Sequence, residues 1–222
     1  MTVPTTATAT AALSQGSSSG VILRWVAAVL AERLPPEATL LDVGCGQGAL
    51  AGRLHTYVGL DVIAYPELRP RPEIEFHLAD LNAPPFPLPA GVADAAIAVE
   101  TIEHLENPRA LMRELTRLAR PGGWVLVTTP NQLSWLSKLS LLCKHEFTAF
   151  QEGPGLYPTH ITALLATDLL RIARESGLQH LELRYSGHGR LPGSARHYPA
   201  WVSRRWPRGA SDNVMLVGRT PS

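Results

Sequence analysis

The sequence predicts an α/β fold: one doubly wound, mostly parallel sheet of seven strands with helices on both faces. Three observations carry this expectation. Apolar runs of strand length alternate with helix-period segments five times through the first three fifths of the chain, the pattern of parallel strands joined by right-handed crossovers. The fourth run, "ADAAIAVE", is almost wholly small and apolar, as strands covered on both faces are. Asp42, Asp61, Asp80 and Glu100 each stand at or just after a predicted strand end, along the carboxyl edge where open α/β sheets hold ligands.

The elements follow in order. "VILRWVAAVLAERL" reads as an amphipathic helix opened by the serines at 17–19, and its Arg24, Glu32 and Arg33 exclude a membrane span. "ATLLDVG" is a first strand, with a short helix expected over Gly48 to Leu54. "TYVGLD", "EIEFHLADLN" and "ADAAIAVE" supply strands two to four. Asn107-Pro108 makes an N-cap and first-turn pair for a helix carrying Leu111, Leu115 and Leu118, which "RPGG" is expected to stop before the fifth strand, "WVLVTT". A helix over Thr162 to Ser176 and the strands "LQHLELRY" and "NVMLVGR" complete the order.

The 222 residues suit one domain, expected over 18–222, after a Thr/Ala/Ser/Gly-rich tail at 1–17 expected to be disordered. A net charge of +1 points away from a dedicated nucleic-acid binder. Cys45 and Cys143 form no disulfide framework and no metal spacing, and the tail lacks the pattern of a secretory signal, so a cytoplasmic location is expected. Residues 131–160 exceed an ordinary connection and are expected to form a lid or acceptor-binding insertion. Within it, Leu133, Trp135, Leu136, Leu139 and Leu142 fall near one side of a helical stretch that either packs on the domain, walls an apolar pocket or touches a membrane. The segment 184–211 is expected to be an Arg-rich loop, in which basic residues alternate with Trp201 and Trp206 without an acid.

"TLLDVGCGQGAL" turns a strand into an Asp-x-Gly-x-Gly-x-Gly loop. Glycines let backbone pass close to a ligand, and Gly44, Gly46 and Ala49 also satisfy the looser dinucleotide pattern. Asp42 argues against a pyrophosphate, which it would repel, and for a ligand joining adenosine to positive charge. S-adenosylmethionine is such a ligand. Asp61 can accept both ribose hydroxyls through its two oxygens.

"LLDVGCGQGAL", "VGLDV", "LADLN", "VETIEHLENP" and "LARPGGWVLVTTPN" together resemble, in order, the motifs of class I S-adenosylmethionine-dependent methyltransferases, over Leu40 to Asn131. The last two are similar to the branch that includes ubiquinone-biosynthesis O-methyltransferases. The resemblance implies a Rossmann-like fold and S-adenosyl-L-methionine as cofactor. It implies a cofactor set of Asp42, Gly44, Cys45, Gly46 and Gly48 from the glycine turn, Asp61 and Val62 for the ribose, Asp80 and Leu81 for the adenine, and Glu100 after the fourth strand.

His104 is the candidate catalytic base, since an oxygen acceptor needs its proton removed. Glu100, Glu103, His104 and His160 also form a set able to hold a divalent metal, similar to the metal segment of ubiquinone-pathway and small-RNA methyltransferases; a metal is an alternative here and not part of the expected site. The expected function is methyl transfer, most simply to an oxygen of a small-molecule or lipid-linked acceptor, with peripheral membrane contact allowed. The alternatives are an RNA methyltransferase, a nicotinamide-dependent oxidoreductase and a non-catalytic cofactor-binding module.

Overall fold

The computed structural model describes residues 18–54, 56–68, 72–151 and 160–222. The tail expected at 1–17 and part of the 131–160 insertion lie outside them. Seven strands form one sheet in the order β3-β2-β1-β4-β5-β7-β6. They are β1 (Thr39–Val43), β2 (Thr56–Asp61), β3 (Ile74–Leu78), β4 (Ala93–Val99), β5 (Ala119–Pro130), β6 (Gln179–Tyr185) and β7 (Asn213–Arg219). β1 to β5 run parallel, while β7 inserts antiparallel to both β5 and β6. The order reverses between β1 and β4, so the crossovers diverge there and leave a crevice beyond Val43 and Val99.

Alternation along the strands sends side chains to two cores. Leu41 and Val43 join one with Leu111 and Leu115 of α2 (Pro108–Leu118) and Leu169 and Ile172 of α4 (Ala166–Glu175). Leu40 joins the other with Val26, Val29 and Leu30 of α1 (Gly20–Ala31). Helices therefore cover both faces. Ser19 caps α1 by accepting the Ile22 N–H at 3.4 Å, and Asn107 caps α2 through Ala110 N–H at 3.0 Å, with Pro108 at the first turn.

Several local expectations are corrected. Residues 48–54 form successive turns instead of a helix: Gly48 N–H bonds Cys45 O and Ala51 N–H bonds Gly48 O, while Gly48 and Gly52 sit at φ +70° and +82°, which an α-helix cannot continue through. α2 ends at Leu118, before "RPGG", because Ala119 already pairs with Ala93 as part of β5. α4 begins at Ala166, later than expected, with Leu165 as its N-cap.

In α3 (Trp135–Lys144) the distal leucines of the stripe face outward, so of the alternatives open to them packing on the domain is not the one adopted. Ser137 and Ser140 are buried, with Ser140 donating to Glu146 O at 2.8 Å, while Leu139 is 44% and Leu142 77% exposed. The 184–211 segment is not simply a loop: it contains α5 (Ala200–Arg205), which is tied to α3 where the Trp135 ring meets Tyr198 and Trp206 at 5.1 and 6.2 Å. No helix among the described residues is long and apolar enough to cross a membrane.

Candidate active site

A cavity of about 440 Å3 opens at the crevice beyond β1 and β4. Asp42, Asp61, Asp80 and Glu100 all line it, so the acids dispersed along the sequence meet at one edge. Gly44, Cys45, Gly46, Val62 and Leu81 also face it. Gly48 does not: a side chain there would strike Leu68, so its part in the turn is conformational. Gly44 sits at φ +77° directly over the Thr101 side chain, leaving no room for a β-carbon.

Asp42 is buried and accepts the Tyr57 hydroxyl at 2.8 Å through Oδ2, while its Oδ1 has no hydrogen-bond partner. Burial raises its pKa to about 7, against the pull of the Tyr57 hydrogen bond and with a further push from Asp61. Tyr57 gave no signal in the sequence, since an aromatic in a buried strand reads as core. Asp61 accepts Gly46 N–H at 2.7 Å on Oδ2, and Val62 and Ile63 N–H at 2.7 and 3.2 Å on Oδ1. A carboxylate has about four lone-pair positions, so taking both ribose hydroxyls requires a present donor, most simply Gly46 N–H, to give way. Burial raises the Asp61 pKa and these three N–H groups oppose it. Asp80 turns the chain by accepting Asn82 N–H at 2.9 Å on Oδ1, and Asn82 lines the cavity beside it. The Cys45 thiol is no nucleophile: burial and the charges of Asp42 and Asp61 push its pKa up.

A further part of the lining is built after β4. Glu100 adopts φ +51° and donates its N–H to Thr128 Oγ1 at 3.0 Å; its Oε2 accepts from Asn213 of β7 at 2.8 Å, and Oε1 is buried without a partner. Burial raises its pKa to about 7. The following 3₁₀ turn, Ile102–His104, places Glu103 fully inside, where burial and then Glu100 raise its pKa well above the usual carboxylate range.

The Glu103 carbonyl accepts Ile161 and Thr162 N–H at 2.9 Å each, which brings His160 over the site. The His104 and His160 rings meet edge to face at 4.7 Å, and His160 Nδ1 hydrogen-bonds Ala149 O at 2.7 Å. A backbone carbonyl accepts only, so Nδ1 carries the proton and Nε2 the lone pair. One donor atom from each of Glu103, His104 and His160 lies within 4.8 Å of the others. Glu100 stands outside this trio, turned to Asn213.

A family model described as a methyltransferase domain matches residues 18–183. A protein of Mycobacterium tuberculosis named a probable S-adenosylmethionine-dependent methyltransferase is 29% identical over 171 residues, covering 72% of this chain and 57% of its own length.

The chain belongs to the class I S-adenosylmethionine-dependent methyltransferases.

The chain thus spans just over half the length of that mycobacterial relative. A ubiquinone biosynthesis O-methyltransferase of Thiobacillus denitrificans is 30% identical over 158 residues, covering 65% of this chain and 66% of its own. The crystal structure of a methyltransferase of Archaeoglobus fulgidus shares the fold with a TM-score of 0.60 at 16% identity, over 89% of this chain and 94% of that one. Family membership sets the nicotinamide alternative aside. The cavity suits the cofactor the family uses: Gly44 and Gly46 line it, where backbone can pass close to a ligand, and the unpartnered Oδ1 of buried Asp42 offers an acceptor for a cationic ligand.

Proposed function

We propose that this methyltransferase alkylates an oxygen of a small-molecule or lipid-linked acceptor. The single observation that supports it most is one cavity lined both by the acids and glycines of the nucleoside pattern and by the His104 and His160 pair. S-adenosylmethionine supplies an electrophilic methyl and leaves as a neutral thioether. The residues of the chain then have two tasks. The cavity walls hold the acceptor oxygen in line and exclude water, worth up to about 7 to 11 kcal/mol in the best oriented reactions. His104 takes the proton that the acceptor hydroxyl loses, a contribution of typically about a hundred- to ten-thousand-fold.

For the cofactor we assign Asp61 and Val62 to the ribose, Asp80 and Leu81 to the adenine, and Asp42, Gly44, Cys45, Gly46 and Glu100 to the methionyl end and its turn. A lipid-linked acceptor is supported by the exposed Leu139 and Leu142 of α3 and by Trp201 and Trp206 near α5, apolar groups of the kind that rest on a membrane surface.

A divalent metal is the second reading, favoured by the Glu103, His104 and His160 trio and by Glu103, whose two buried oxygens lack hydrogen-bond partners. The Nδ1 contact of His160 with Ala149 would orient its Nε2 toward such an ion. Calorimetric titration with S-adenosylhomocysteine and, separately, NADH tests the cofactor. Micromolar binding of the first alone is expected, and binding of neither would sink the proposal. Turnover of a panel of hydroxylated acceptors with and without chelator separates the base from the metal; binding without any turnover would mark a non-catalytic module.

A further inference from the structure

A second cavity, of about 390 Å3, lies next to the first. Its floor is the end of β5 and the start of β7, at Pro130, Asp212 and Asn213, and its outer wall is His188, Arg190 and His197 from the β6 to β7 connection. The partition between the cavities is thin. Ser19 and Ile22 line both; Glu100 of the first bonds Asn213 of the second at 2.8 Å; and Ala149 of the second accepts from His160 of the first. A molecule seated in the second cavity therefore lies beside the carboxyl ends of β4 and β5, where the methyl acceptor has to approach.

The outer wall has a definite chemistry. The imidazoles of His188 and His197 lie against each other at a tilt of 37°, with centroids 3.6 Å apart. Arg190 pairs with His197 through an isolated β-bridge, which holds the three side chains on one short ribbon. Asp212 is the acid in the lining, and Arg190 engages it twice, through Nε and through backbone N–H, each at 3.1 Å. With Asp212 compensated and Asn213 donating to Glu100, the remaining polar lining is two imidazoles, the rest of the guanidinium fork and the hydroxyls of Ser19 and Ser186. Nitrogen donors in that arrangement match an oxyanion, whose hydrogen bonds to charged donors are the short and strong ones.

We propose that this second cavity seats the anionic end of the methyl acceptor, whose reacting hydroxyl enters the first cavity, and that His188, Arg190 and His197 bind that oxyanion, phosphate or carboxylate. The inference rests on the methyl-transfer reading above, and it narrows the acceptor from any hydroxylated molecule to an anionic one. The recognition elements belong to the 184–211 segment, all of which lies outside the 18–183 span of the family match.

The test is titration of the full chain with inorganic diphosphate and, separately, citrate, followed by calorimetry and by the histidine ring signals in NMR, with S-adenosylhomocysteine titrated in parallel. At least one anion is expected to bind saturably and to move the His188 and His197 signals; diphosphate alone would mark a phosphate, citrate alone a carboxylate. His197 and Arg190 are exposed, so H197Q and R190Q test the site without disturbing the core. Each should weaken anion binding tenfold or more. Binding should also weaken from pH 6 to 8, because the anion opposes the burial, the His197 charge and the Arg24 charge that hold the His188 pKa down, acting with Asp212, which raises it.

Silent ring signals, or unchanged affinity in both variants, would overturn the proposal. So would loss of binding in an R204Q/R205Q variant but not in R190Q, which would place the anion on α5. S-adenosylhomocysteine separates the layers: its failure to bind overturns the methyl-transfer reading and the acceptor assignment with it, whereas its binding beside an indifferent anion overturns the subsite alone.

Discussion

Asp61 receives three backbone N–H groups and still faces the cavity. Asp61→Ala removes a charged acceptor, and hydrogen bonds to charged groups contribute about 1.5 to 3 kcal/mol. S-adenosylhomocysteine affinity in calorimetry should therefore fall roughly ten- to a hundred-fold; unchanged affinity would remove Asp61 from the ribose. Asp42 carries a second prediction. With Asp42 and Glu100 both at about 7 in the folded chain, against about 4 for unfolded carboxyls, the native state binds more protons in the window between. Stability should accordingly decline as pH rises from about 4 to 7 and level off above. Asp42→Asn should flatten part of that decline in melting curves recorded across the window. The variant should also release fewer protons on cofactor binding, read by calorimetry in two buffers. Asp42, Asp61 and Asp80 were legible in the sequence because strand ends can be placed. Tyr57 and the inward turn of Glu103 were not, since partners across strands leave no trace in spacing.

The glycine turn and the α3–α5 contact govern how the site is held at the level of elements. Gly44→Ala forces a side chain into φ +77° and against Thr101. Such strain amounts to about 1 to 3 kcal/mol, to be read as a lowered denaturation midpoint together with lost cofactor binding. Trp135 donates its backbone N–H to Gly209 O at 2.8 Å and packs its ring over the bare Gly209 α-carbon, beside Tyr198 and Trp206. Trp135→Ala should free the 184–211 segment, and limited proteolysis should cut there at least several-fold faster than in the parent chain. Equal cutting rates would show that the segment is held by other contacts. Helical spacing left open which side α3 buries, and hydrogen bonds from Ser140 and Gln151 turn its serine side inward.

At the scale of the molecule, the crevice exists because the strand order reverses between β1 and β4, and a ligand that binds only the folded chain stabilises it. S-adenosylhomocysteine at a hundred times its dissociation constant should add about 2.7 kcal/mol, raising the melting temperature by roughly 5 to 11 °C for a chain of this size; no rise would count against the cofactor site. By itself the sequence determined the α/β class, the strand count and the carboxyl-edge position of Asp42, Asp61, Asp80 and Glu100, because burial imposes a period on each element and chain direction assigns its ends. It also carried the family motifs. Folding in three dimensions decided the rest: which members of the candidate set Glu100, Glu103, His104 and His160 meet, with Glu100 left out, the second cavity walled by His188, Arg190 and His197, and the exposed leucines of α3. These depend on which loop crosses which edge of the sheet, and a contact between distant segments has no period for a sequence to display.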